Sequence, residues 1–187
     1  MRLAANWKTR IWLGGLAGIY AILICALLAG ATTAQAQQLP KPSAVASPKA
    51  DVSPTLVPRG STFDVNMVVG IMAGFHVNAH KPSEDYLIPT TLTAKLPAGF
   101  KELGTSYPPG MAKKLSFTDK QLLVYTGKFT VHAKFAAEGN APLGKVKLPF
   151  TLQYQACNDS VCLPPVRIPV TATIDVAPAT KARRNSP

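Results

Sequence analysis

The sequence predicts an all-β chain built as an immunoglobulin-like β-sandwich, on three observations. Apolar and polar residues alternate over several short stretches, turn residues separate them, and no segment in that region reads as a long helix. Around seven such stretches with Pro, Gly and Asn/Asp turns fit two packed sheets better than any helical architecture.

Each stretch in turn supports this reading. Phe63, Val65, Met67, Val69 and Ile71 fall on one side of a strand, with Asp64 and Asn66 on the other. Ile88, Thr90, Leu92, Ala94 and Leu96 repeat the pattern, as do Phe129, Val131, Ala133 and Phe135 against Lys128, Thr130, His132 and Lys134. The clearest pair is Leu148 to Ala156 and Val166 to Ile174, which predicts a hairpin whose connection holds two cysteines. Pro149 and Pro169 cannot donate to a ladder, so both belong at edges or bulges. The long-range Cys and Trp core of antibody domains is missing, because Trp7 and Trp12 both precede the strands.

Composition sets the context. The 187 residues are 47% hydrophobic and 16% charged, which excludes wholesale disorder despite a net charge of +11. Arg2, Lys8 and Arg10 precede the uncharged run Ile11 to Ala31, and Ala34-Gln35-Ala36 offers a cleavage site. Residues 1–36 therefore read as a signal peptide. The run would measure about 31 Å as a helix, so an uncleaved membrane anchor is the alternative. Both readings put the rest of the chain outside the cytoplasm. Residues 37–60, with five prolines, read as a semi-extended linker, 61–178 as the β-sandwich, and 179–187 as a disordered basic tail. The exported part carries seventeen basic and nine acidic residues spread along strands, with no aromatic and basic stripe for nucleic acid.

Of three cysteines, Cys25 lies in the apolar run, leaving Cys157 and Cys162 in an oxidising compartment. With four residues between them in a hairpin connection, they are placed for a local disulfide. Closing so small a loop removes only about 2 kcal/mol of unfolded-state entropy, so stability alone is a poor reason for this spacing. A short exposed disulfide exchanges readily with thiolates, and a structural bridge is the competing reading. His76 and His80 would share a strand face and read as surface or turn residues rather than metal ligands, and no metal is expected. No nucleophile triad, phosphate loop or paired carboxylate stands out, so hydrolase readings have no support.

The segment Tyr154-Gln155-Ala156-Cys157-Asn158-Asp159-Ser160-Val161-Cys162-Leu163-Pro164-Pro165 resembles the signature of the amino-terminal periplasmic domain of the thiol:disulfide interchange protein DsbD. Gly74-Phe75-His76-Val77-Asn78-Ala79-His80-Lys81-Pro82 and Tyr86-Leu87-Ile88-Pro89-Thr90 are similar to its early strands, so the likeness covers about residues 61 to 178. The resemblance implies an immunoglobulin-like domain that relays reducing equivalents without an organic cofactor. It implies that Cys162 forms mixed disulfides with partners and that Cys157 resolves them. The loop holds four residues between the cysteines, against five in one family spacing. A cap loop over the pair would fall at Ser106 to Phe117, with Tyr107 and Phe117 as its candidate aromatics. Only 22 residues follow Pro165, so the implied partners are thioredoxin-like periplasmic proteins and a separate membrane electron-conducting protein. The alternative function is a non-catalytic binding or accessory module with a structural disulfide.

Overall fold

A computed structural model describes residues 38–115 and 118–180. The export segment read in 1–36, the tail from 181 onward and Phe117 lie outside the described residues.

The described residues form twelve strands: β1 (Ala46–Ser53), β2 (Leu56–Pro58), β3 (Thr62–Ile71), β4 (His76–Asn78), β5 (Thr91–Ala94), β6 (Phe100–Ser106), β7 (Met111–Lys114), β8 (Gln121–Tyr125), β9 (Lys128–Ala137), β10 (Gly144–Tyr154), β11 (Ala156–Cys157) and β12 (Val166–Ala177). They make three sheets, ordered β1-β3-β9-β6, β2-β12-β10-β5 and β11-β4-β8-β7. Pairing is antiparallel except for β2 beside β12.

The first two sheets are the layers of an immunoglobulin-like sandwich. Alternation decides their inner faces: Phe63, Val65, Met67 and Val69 of β3 and Val131, Ala133 and Phe135 of β9 are buried. They meet Leu148, Phe150, Leu152 and Tyr154 of β10 and Ala172, Ile174 and Val176 of β12. Phe135 bridges the layers, edge-on to Phe150 at 5.7 Å and stacked on Phe63 at 5.6 Å. The predicted hairpin forms in continuous register from Gly144↔Val176 to Tyr154↔Val166. Pro169 lies on a part of β12 that β2 does not reach, because β2 pairs only with residues 175–177. Pro149 lies just beyond the four residues that pair with β5.

Three sequence expectations change. The linker read in 37–60 is not a tether over its length: Pro42–Ala44 form a 3-10 turn, β1 pairs along β3 from Ala46↔Ile71 to Ser53↔Asp64, and β2 joins β12. The Tyr154 hydroxyl fastens this segment by donating to the Pro42 carbonyl (2.8 Å) and accepting from the Ala46 amide (3.3 Å). The strand read from Ile88 to Leu96 shortens to β5 between Pro89 and Pro97. The strand read through Ala156 ends at Tyr154, and after Gln155 the residues Ala156–Cys157 join the third sheet.

Candidate functional site

Leaving the sandwich at Gln155, the chain places Cys157 opposite His76, with Ala156 opposite Val77. It then reverses tightly. The Asn158 amide donates to the Val161 carbonyl (3.0 Å) and the Leu163 amide to the Ala156 carbonyl (2.8 Å). Cys157 and Cys162 thus form the non-hydrogen-bonded pair between two ladder bonds, the position where strands approach most closely. Their Cα atoms are 4.0 Å apart and the sulfurs are bonded. Asn158 stiffens the tip, its Oδ1 accepting from the amides of Ser160 (2.9 Å) and Val161 (2.8 Å). The two cysteines differ in access: Cys157 is 1% exposed, while Cys162 is only half-buried.

Directly paired strand residues share a face, and so do alternate residues. By register, Cys157, His76, Asn78, Val124, Leu122, Met111 and Lys113 therefore lie on one face of the third sheet. Its other face carries Val77, Ala156 and Tyr125 into the main core. A small separate cluster, Leu87, Leu115, Leu122 and Val124, lies on the cysteine side.

His76 is completely buried, contrary to the surface role read from its spacing. Neither ring nitrogen meets a hydrogen-bond partner among the described residues. Burial, and secondarily the Lys113 ammonium, hold its pKa down to about 4 against the opposing pull of Asp159. Sequence reasoning missed His76 because β4 is three residues long, too short for alternation to show, and its cover comes from distant segments. His80 lies beyond the strand, its Nδ1 against the Thr90 carbonyl at 3.0 Å. Among the described residues no three His, Cys, Asp or Glu side chains gather to hold a metal.

The segment that begins at Ser106 crosses to this site. Tyr107 is its anchor: the ring stacks on His80 at 3.6 Å, and the hydroxyl accepts from the Leu92 amide at 2.8 Å. Burial raises the Tyr107 phenol above its ordinary value. The Tyr125 hydroxyl donates to the Pro108 carbonyl (2.9 Å) and accepts from the His80 amide (3.1 Å). Gly110 then passes close over the sheet, where a Cβ would stand 2.7 Å from Ala79 Cβ and 3.0 Å from Leu123 Cβ. Beyond it, β7 brings the Lys113 ammonium to the Asp159 carboxylate at 3.0 Å. The segment and the cysteine turn are thereby brought together through a lysine that the sequence did not single out. A groove of about 640 Å³ beside Tyr107, Gly110 and Tyr125 takes no lining from the turn.

The turn thus leaves one cysteine of the bonded pair partly exposed and shields its mate. Among solved structures, the chain is similar to the N-terminal periplasmic domain of ScsB from Proteus mirabilis, at 12% identity and a TM-score of 0.49, over 73% of this chain and 49% of that one. It is also similar to BcpA, the major pilin subunit of Bacillus cereus, at 8% identity and a TM-score of 0.42, over 71% and 40%. The chain thus spans about half of the first structure and less of the second. No curated protein matches it. Residues 31–173 match the family described as thiol:disulfide interchange protein DsbD, N-terminal, and with the paired cysteines inside that span the chain belongs to this family.

Proposed function

We propose that the protein is a periplasmic electron-relay domain that passes reducing equivalents to thioredoxin-like proteins through Cys157 and Cys162, drawing them from a membrane electron-conducting component. The observation that carries this reading is the unequal exposure of the pair, with Cys162 accessible and Cys157 buried. The family supports thiol:disulfide interchange in general.

In the reducing direction, the Cys162 thiolate attacks a partner disulfide. A bond forms between Cys162 Sγ and one partner sulfur, and the other partner sulfur leaves as a thiolate. Cys157, as thiolate, then attacks Cys162 Sγ. The intramolecular disulfide forms, the mixed disulfide breaks, and the partner leaves with two electrons and, after protonation, two thiols. Recharging reverses these steps. In the cap-loop reading, the segment from Ser106 to Phe117, fixed at Tyr107, is the part that yields when a partner docks.

Trapping tests this. Cys157→Ser leaves Cys162 unable to be resolved and accumulates mixed disulfides with thioredoxin-like proteins, whereas Cys162→Ser accumulates few. Equal trapping by both variants removes the assigned roles. A potential for the pair below about −300 mV, with no trapping, establishes a structural bridge instead.

A further inference from the structure

His76 combines three observations. It is paired in register with Cys157, it is completely buried, and both of its ring nitrogens are without partners among the described residues. A buried polar group left unpaired is costly and uncommon in a native fold. The disulfide sulfur opposite is a weak acceptor, so the oxidised state satisfies the ring poorly. Opening the bond changes that sulfur into a thiol or thiolate, buried on the same face, which needs a donor or a proton acceptor of its own. The two needs are complementary.

We propose that His76 is the proton partner of Cys157: its ring hydrogen-bonds the sulfur once the disulfide opens, and takes the thiol proton when Cys157 becomes the resolving nucleophile. This rests on the relay reading above. In the resolving step the S–H proton passes to an imidazole nitrogen as Cys157 Sγ attacks Cys162 Sγ. The Cys157–Cys162 bond forms, the bond from Cys162 to the partner breaks, and the electron pair leaves on the partner sulfur. The imidazolium then gives up its proton to that thiolate or to water.

The surroundings favour prompt return of the proton. Facing His76 are Cys157 from β11, Lys113 from β7 and Asp159 from the turn, while β8 contributes the apolar Val124 and Leu122 to the shared face. Lys113 and Asp159 pair with each other, so they largely offset one another at the ring. The charge that changes between redox states is then that of the Cys157 sulfur, and a thiolate there favours imidazolium.

The protein has three histidines, which makes the ring directly observable. The full chain, held in detergent and labelled with ¹⁵N-histidine, is titrated by NMR oxidised and after reduction with a phosphine, with His80→Gln and His132→Gln for assignment. Reduction is expected to shift the His76 ring nitrogens and move its titration midpoint up by at least one pH unit. Superimposed titrations in the two states overturn the proposal. In a Cys162→Ser background, His76→Gln is expected to slow alkylation of Cys157 about tenfold at pH 7 and raise the midpoint of its pH profile, and unchanged profiles count against it. Neither measurement involves a partner protein. Failure of trapping with a redox-linked His76 therefore removes the relay reading, and trapping with an indifferent His76 removes this one.

Discussion

Lys113 of β7 and Asp159 at the tip of the cysteine turn form an ion pair, Nζ to Oδ1 3.0 Å, with the Asp159 side chain 70% exposed. It joins two segments that the sheet order places at opposite edges, β7 and the turn that follows β11. A pair this exposed contributes about 0 to 1 kcal/mol, so it restrains the turn without locking it.

Asp159→Asn is expected to leave thermal stability nearly unchanged and to speed reduction of the disulfide by small thiols severalfold. It opens the contact and removes a negative charge that repels an incoming thiolate. Lys113→Met opens the same contact but removes a favourable positive charge, so its net effect is smaller. Stopped-flow reduction at low and high salt measures both, and a slower Asp159→Asn variant contradicts the account.

His76 sets the acid limit of the oxidised protein. Its pKa falls from 6.5 to about 4 on folding, so the unfolded chain binds a proton that the native state does not. Stability from this group is fully present above pH 6.5 and is lost as pH falls to about 4, a difference on the order of 3 kcal/mol. Urea unfolding from pH 7 to 4 checks this. His76→Gln flattens the slope in that window.

Gly110 is required by close approach rather than by backbone conformation. Gly110→Val overpacks the contact with Ala79 and Leu123 and is expected to cost about 1 to 3 kcal/mol. The 107–114 segment lifts first, read as faster amide exchange at the β7–β8 ladder before the sandwich ladders change.

Tyr154→Phe keeps the buried ring and deletes both hydroxyl bonds, to Pro42 and Ala46. The expected loss is about 1 to 2 kcal/mol by denaturant unfolding, with β1 amides gaining exchange ahead of β3.

The sandwich was legible in the sequence where bulky apolar residues alternate, as in β3, β9, β10 and β12, because each has one face in a common core. β1 was not, since Ala46, Pro48, Ala50 and Val52 face inward with little bulk and the strand is held by its ladder with β3. The cysteine pair was legible from spacing, and its inequality was not. Which sulfur is covered depends on β4 and the turn meeting across a sheet only two residues wide at that edge. Tyr107 was singled out as a cap aromatic, and its described partners are His80 and Leu92.

The departure of the chain from the sandwich at Gln155 separates mechanical duty from reactive duty. Eleven paired positions of β10 and β12 run unbroken up to Tyr154 and Val166, and the bonded sulfurs lie beyond them. In the proposed relay, the bond that breaks and re-forms then belongs to a six-residue appendage, and the ladder that carries the fold's cooperativity has no part in the exchange.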